Sequence, residues 1–105
     1  MTDDRFEWVH PLPTEREREI LTILIEEAAE VQQRATKLLR FGRDEVQPGQ
    51  ELTNAERLSR EIGDMEVMIG MAADIGLVDA TIVRERAARK RQKLAKYMQT
   101  ADQPA

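Results

Sequence analysis

The chain of 105 residues is predicted to be all-α, an antiparallel helical bundle completed by oligomerisation. Its composition is the first reason: 34% charged and 41% hydrophobic residues with only 4% aromatics, a recipe rich in the residues that favour long amphipathic helices. Apolar residues also recur at alternating three- and four-residue steps through two long segments, the spacing of one helix face. Helix-start signals stand directly in front of both segments. The length fits a single domain, and the absence of cysteine excludes a disulfide framework, a thiolate metal site and a cysteine nucleophile.

Residues 1–13, with Trp8, His10, Pro11 and Pro13, read as an irregular N-terminal arm. Thr14-Glu-Arg-Glu17 is a capping box, in which hydroxyl and carboxylate satisfy the first free amides. Behind it Leu21, Leu24, Ala28, Val31, Ala35 and Leu38 form one stripe on a helix of roughly 27 residues, about 40 Å long. Gly42 is its natural stop. Residues 43–52 carry charges and a Pro48-Gly49 turn and have no helical period. Thr53-Asn-Ala-Glu56 is a second capping box, followed by the stripe Ala55, Leu58, Ile62, Met65, Ile69 and Ala72 up to Gly76. Asp79 caps a third helix reaching about Met98, with Val83, Ala87, Leu94 and Tyr97 or Met98 expected to face inward. Residues 100–105 read as frayed.

Ile20, Ile25, Met68 and Met71 fall off these stripes. A chain this short buries little surface alone, so they are expected to lie uncovered within the chain and to pair it with another copy, as a homodimer or homotetramer. Gly63 and Gly70 would form a smooth strip for that close approach. No apolar stretch reaches the ~20 residues of a membrane span, and no signal-peptide core is present. The expected location is therefore cytoplasmic, with no membrane partner. A net charge of −4 argues against a stable nucleic-acid partner.

Beside the apolar stripes run two polar lines: Ile23, Glu27, Glu30, Arg34, Lys37 on the first helix and Arg57, Glu61, Asp64, Met68, Met71 on the second. Glu27 and Glu30 project one turn apart from one face, as do Glu61 and Asp64. Packed antiparallel about the 43–52 loop, the two pairs fall out of register by only about 6 Å, across axes roughly 8–10 Å apart. Four carboxylates, or five with Glu26, then converge on one cleft. Such a group needs a compensating cation. Oxygen ligands without His or Cys suit Mg²⁺, or Mn²⁺ in its place, ions that clamp phosphates and activate water. The plainer alternative is a set of solvated i,i+4 pairs, Glu30 with Arg34 and Arg57 with Glu61.

The segments LIEEAAEVQQRATKLLRFG and LTNAERLSREIGDMEVMIGMAADIGLVD resemble the MazG-like all-α nucleoside triphosphate pyrophosphohydrolases, especially the short phage forms. The likeness covers about residues 20–97. The family's E-E-x-x-E followed by E-x-x-D is met by Glu26, Glu27, Glu30, Glu61 and Asp64. The resemblance implies that these carboxylates hold the Mg²⁺ ions that bind the triphosphate, and that a nucleotide is hydrolysed to its monophosphate and pyrophosphate. Glu26 would be a further ligand or the base that orients water. The thirty residues between Glu30 and Glu61 exceed the spacing of many compact members. The substrate would be a (deoxy)nucleoside triphosphate, with a purine such as dGTP one candidate. Alternatives are phosphoribosyl-ATP or a modified nucleotide on the same fold, or a non-enzymatic helical partner protein.

Further substrate contacts are expected from the third helix, where Arg84, Arg86, Arg89, Lys90, Arg91, Lys93 and Lys96 place seven cations in thirteen residues. A solvated face is the simpler reading for most of them, but Lys90, Lys93 and Lys96 form a three-spaced row that resembles the family's phosphate-meeting stretch, and the resemblance implies Lys90 and Lys93 as the phosphate ligands. Lys37, on the line of Glu27 and Glu30, and Asn54, at the start of the second helix, complete the expected substrate-binding set, although an Asn there is also common as a helix-start residue. For Arg43, Gln47 and Gln50 of the loop, closure over substrate and simple solvation stand equal. Trp8 suits packing against another subunit better than stacking on a base, and His10 has no catalytic role.

Overall fold

The structure, a computed structural model, describes residues 10–100; the Trp8 portion of the arm and the tail beyond residue 100 lie outside the described residues. Three helices follow in order, α1 over Glu15–Phe41, α2 over Asn54–Asp74 and α3 over Ala80–Tyr97, with no strand among the described residues. None of the three is long and apolar enough to cross a membrane.

Both expected capping boxes form. The Thr14 hydroxyl accepts from the Glu17 amide at 3.1 Å and the Glu17 carboxylate from the Thr14 amide at 2.8 Å; Thr53 and Glu56 repeat this at 3.1 and 3.0 Å. Gly42 ends α1 at φ 91°, a backbone angle that would strain any side chain, and its amide donates to the Leu38 carbonyl. Asp79 caps α3 by accepting from the Thr81 and Ile82 amides.

Helices α1 and α2 pack against each other as an antiparallel hairpin. Ile20, near the start of α1, meets Met68 and Ala72, near the end of α2, while Glu27 meets Glu61. The core is Ile20, Met68 and Ala72, with Ile23, Leu24, Met71, Leu77 and Val78 against it. This corrects the expected role of Ile20, Met68 and Met71, which are covered within the chain; of that set only Ile25 stands well exposed, at 68%. The inward line on α1 runs Ile20, Leu24, Glu27, Val31, and on α2 Asn54, Leu58, Glu61, Met65, Met68, Ala72. Each shares residues with the expected stripe, Leu24 and Val31 on α1 and Leu58, Met65 and Ala72 on α2, but is rotated toward the neighbouring polar line, so the stripe residues Ile62 and Ile69 are left partly exposed.

The loop is tied back onto α2. Buried Asn54 donates from Nδ2 to the Gly42 carbonyl at 2.8 Å and to Glu45 Oε1 at 3.2 Å. The first amides of α2, Asn54 and Ala55, donate to the Glu45 and Arg43 carbonyls at 2.9 and 3.0 Å. A ten-residue irregular segment thereby gains fixed ends and a fixed course.

Helix α3 is a different case. Every residue from Asp79 to Thr100 is exposed, so Val83, Ala87, Leu94, Tyr97 and Met98 do not face inward within the chain. Amphipathic spacing marks a face able to be covered; it does not supply the cover, and α3 barely touches the hairpin. The radius of gyration, 18.6 Å, records this extension, against about 13 Å for a compact domain of this length.

Candidate functional site

The hairpin register brings the two acidic pairs together. Glu27 from the middle of α1 and Glu61 and Asp64 from α2 place carboxylate oxygens within 4.8 Å of one another, among the described residues the one such group of possible metal ligands. Glu27 and Glu61 are half-buried because they occupy the inward lines; Asp64, Glu30 and Glu26 are exposed at the rim.

The electrostatics of the group follow from that crowding. A carboxyl–carboxyl hydrogen bond with Glu30 is the largest cause that pushes Glu61 up to about 7, followed by desolvation and the charges of Glu30, Asp64 and Glu27. Glu27 is also raised, first by desolvation and then by Glu30, Asp64 and Glu26. Glu30 and Asp64 thus bear on both Glu27 and Glu61, and Glu26 bears on Glu27. With the carboxyls ionised, Oε2 of Glu27 and Oε2 of Glu61 are shielded from solvent and accept no hydrogen bond. Two orphaned carboxylate oxygens in an all-oxygen donor set fit a hard divalent cation, and a shared proton is the substitute in its absence.

The neutralising pairs Glu30–Arg34 and Arg57–Glu61 do not form. The ion pairs among the described residues are Arg16–Glu19 and the exposed Arg43–Asp44. Arg57 instead donates from Nη1 to Gln47 Oε1 of the loop at 3.1 Å. It lines, with Arg60, Gln50, Leu52, Glu61 and Asp64, a cleft of about 270 Å³ beside the acidic group. Sequence reasoning missed Arg60 altogether. The available signal was its i,i+4 relation to Asp64, and with twenty acids and sixteen bases in the chain such pairs abound.

The other expected contacts are not gathered there. Lys90 and Lys93 are exposed on α3, Lys93 in a shallow surface depression with Arg89, Gln92, Lys96 and Tyr97. Lys37 sits two turns beyond Glu30 with its ammonium 5.8 Å from the Phe41 ring centre. Asn54 is 1% exposed and spends its amide group on the loop, while its Oδ1 is buried without a partner. Over Gly63 and Gly70 the space is open within the chain.

Comparison with protein-family models, with curated proteins and with solved structures finds no match to this chain.

Proposed function

We propose that this protein is a metal-dependent nucleotide pyrophosphohydrolase of the MazG-like kind, converting a (deoxy)nucleoside triphosphate to its monophosphate and pyrophosphate. One observation carries the reading: Glu27, Glu61 and Asp64 converge within 4.8 Å, backed by Glu30 and Glu26, and none of them forms an ion pair among the described residues. Structural carboxylates on a helix pair gain nothing from such crowding, which raises Glu27 and pushes Glu61 up to about 7. The sequence pattern E-E-x-x-E with E-x-x-D supports the same assignment.

In this reading Glu27, Glu30, Glu61 and Asp64 hold Mg²⁺, or Mn²⁺ in its place. The ion supplies charge neutralisation at the phosphates and lowers the pKa of bound water. Glu26, exposed beside Glu27, is the carboxylate left to orient that water. The working form is a homodimer or homotetramer. Support for that comes from the uncovered α3, from Ile25, Val67 and Ile69 exposed on the outer side of the hairpin, and from the open strip at Gly63 and Gly70. A second copy covering these faces would bring Lys90 and Lys93 to a site they do not reach within their own chain.

The deciding experiment is a panel of standard and modified nucleoside triphosphates with Mg²⁺, following monophosphate and pyrophosphate release. Stoichiometric release of both from at least one of them is expected and should stop on chelation. Orthophosphate as the product, or no turnover across the panel, would overturn the assignment.

A further inference from the structure

The acidic group offers a place for a cation but no positive partner for a phosphate chain, and Lys90 and Lys93 stand exposed on α3, away from it. A triphosphate carries more negative charge than a divalent ion bound among four carboxylates can offset, so further positive groups are needed close by. The cleft of about 270 Å³ supplies two guanidiniums on one wall, with Glu61 and Asp64 on the same wall. Arg57, Glu61 and Asp64 follow one line of α2 at steps of four and three, and Arg60 stands one turn before Asp64. Gln50 and Leu52 of the loop form the opposite lip.

Arg57 is the more telling of the two. An arginine four residues before a glutamate on a helix is within reach of it. Here Arg57 turns to Gln47 at 3.1 Å and forms no ion pair with Glu61, while Arg60 also has no ion pair among the described residues. Gln47 accepts from one Nη and leaves the remaining donors of the fork open to the cleft, in a half-buried position where the side chain has lost much of its freedom. The course of the loop that carries Gln47 is itself fixed by Asn54. Arg57, held by Gln47 beside carboxylates it does not pair with, and the exposed Arg60 next to it on the cleft wall can meet a planar or tetrahedral oxyanion, which an arginine fork grips at two points.

Resting on the metal-dependent reading above, we infer that Arg57 and Arg60 seat the phosphate chain of the nucleotide next to the carboxylates of their own chain, with Gln47 as the positioning residue for Arg57. The ligand class is a polyphosphate, and the contacts are independent of base and sugar.

The test uses the full chain, inorganic tripolyphosphate as the ligand and Mn²⁺ as the metal, in two calorimetric titrations: Mn²⁺ alone, then tripolyphosphate at saturating Mn²⁺. Arg57→Gln and Arg60→Gln are expected to keep Mn²⁺ affinity within about threefold and each to weaken tripolyphosphate about tenfold or more. Arg57→Lys keeps the charge and loses the fork, and should fall between. If Arg57→Gln does not fold, weaker tripolyphosphate binding in Arg57→Lys with intact Mn²⁺ binding supports the inference in its place. Gln47→Leu should raise KM several-fold for an accepted nucleotide with little change in kcat, since it loosens a binding group without removing it. Arg84→Gln, on the far helix, should leave both titrations unchanged. Unchanged tripolyphosphate affinity in Arg57→Gln and Arg60→Gln, with Mn²⁺ still bound, would overturn this inference alone. Failure of the unaltered chain to bind Mn²⁺ would overturn the metal reading and this inference with it.

Discussion

The α1–α2 hairpin and α3 begin alike and end differently. Each helix has an oxygen-bearing residue at its N-cap, and each carries apolar residues at helical spacing. In the hairpin those residues meet a partner, and Ile20 and Ala72 are sealed to 1% and 0% exposure. On α3 they meet solvent, with Ile82 at 63% and Tyr97 at 73%. Caps and propensity decide where a helix starts and stops; stability in water depends on covering its apolar face, and an uncovered helix of this length is marginal. The acidic site belongs wholly to the covered region, and the strongest cationic run belongs to the uncovered one. The clustered acidic and cationic groups therefore divide along the same line as packing.

That division is open to attack at several points. The largest effect should come from the carboxylates: Glu30→Gln or Asp64→Asn is expected to cut turnover by about 10³-fold while circular dichroism shows unchanged helix content. Because each change removes one of several crowded charges, thermal stability in metal-free buffer should hold or rise. Loss of helix together with activity would make these residues structural. Next comes assembly. Light scattering coupled to size exclusion should find at least two chains, with activity lost in fractions diluted to the monomer. Hydrogen exchange in those fractions should show α3 amides unprotected while core amides of the hairpin stay slow. A fully active 12.1 kDa monomer would erase the functional meaning of the comparison.

Smaller effects sharpen it. Asn54→Ala should cost about 1 kcal/mol in denaturant unfolding, since the Gly42 carbonyl and the Glu45 carboxylate lose a buried donor that ties the loop to α2. Glu61 gives the site a pH signature. Its folded value of about 7 lies above the ordinary 4.5, so the folded protein holds a proton that the unfolded chain releases. That contribution to stability is complete below the unfolded value and fades as pH rises to about 7, so metal-free protein should soften across this window. A metal must displace the same proton, and Mg²⁺ affinity should rise about tenfold from pH 6 to pH 8. Equal melting temperatures at pH 5 and pH 7.5 without metal would contradict the proton sharing. The mildest change is on α3: Lys93→Ala should raise KM or lower kcat for triphosphates by about three- to tenfold, and Arg84→Ala should do little. Equal and negligible effects would return α3 to a solvated face.

Much of the hairpin was legible because its signals are local. Both capping boxes, the stop at Gly42 and the Asp79 cap each depend on residues within one turn. The meeting of Glu27 with Glu61 and Asp64 was legible too, since a hairpin fixes register once its loop is located. The rotation of each helix was harder to read. Ile20, Leu21, Ile23, Leu24 and Ile25 make an apolar arc wider than one stripe, and spacing alone does not say which edge turns inward. The inward edge is the one holding Ile20, Leu24 and Glu27, a choice settled by fit against Met68 and Ala72. The bond from Arg57 to Gln47 was out of reach for a related reason: it depends on the three-dimensional course of a loop without period, fixed by a buried amide.

The hairpin also dictates how the chain arrives at this state. Ile20 with Met68, Glu27 with Glu61 and Gly42 with Asn54 are nested pairs, each closing a loop already shortened by the one inside it. Once the innermost tie forms, the outer contacts are zipped at little additional entropic cost. Topologies built from such local contacts fold in microseconds to milliseconds. The carboxylates come together in the middle of that zipper, so like charges are pressed together before the outer core at Ile20 has locked. Metal-free refolding should consequently be slowest where those carboxyls are all ionised, and a divalent ion or a lower pH should speed it.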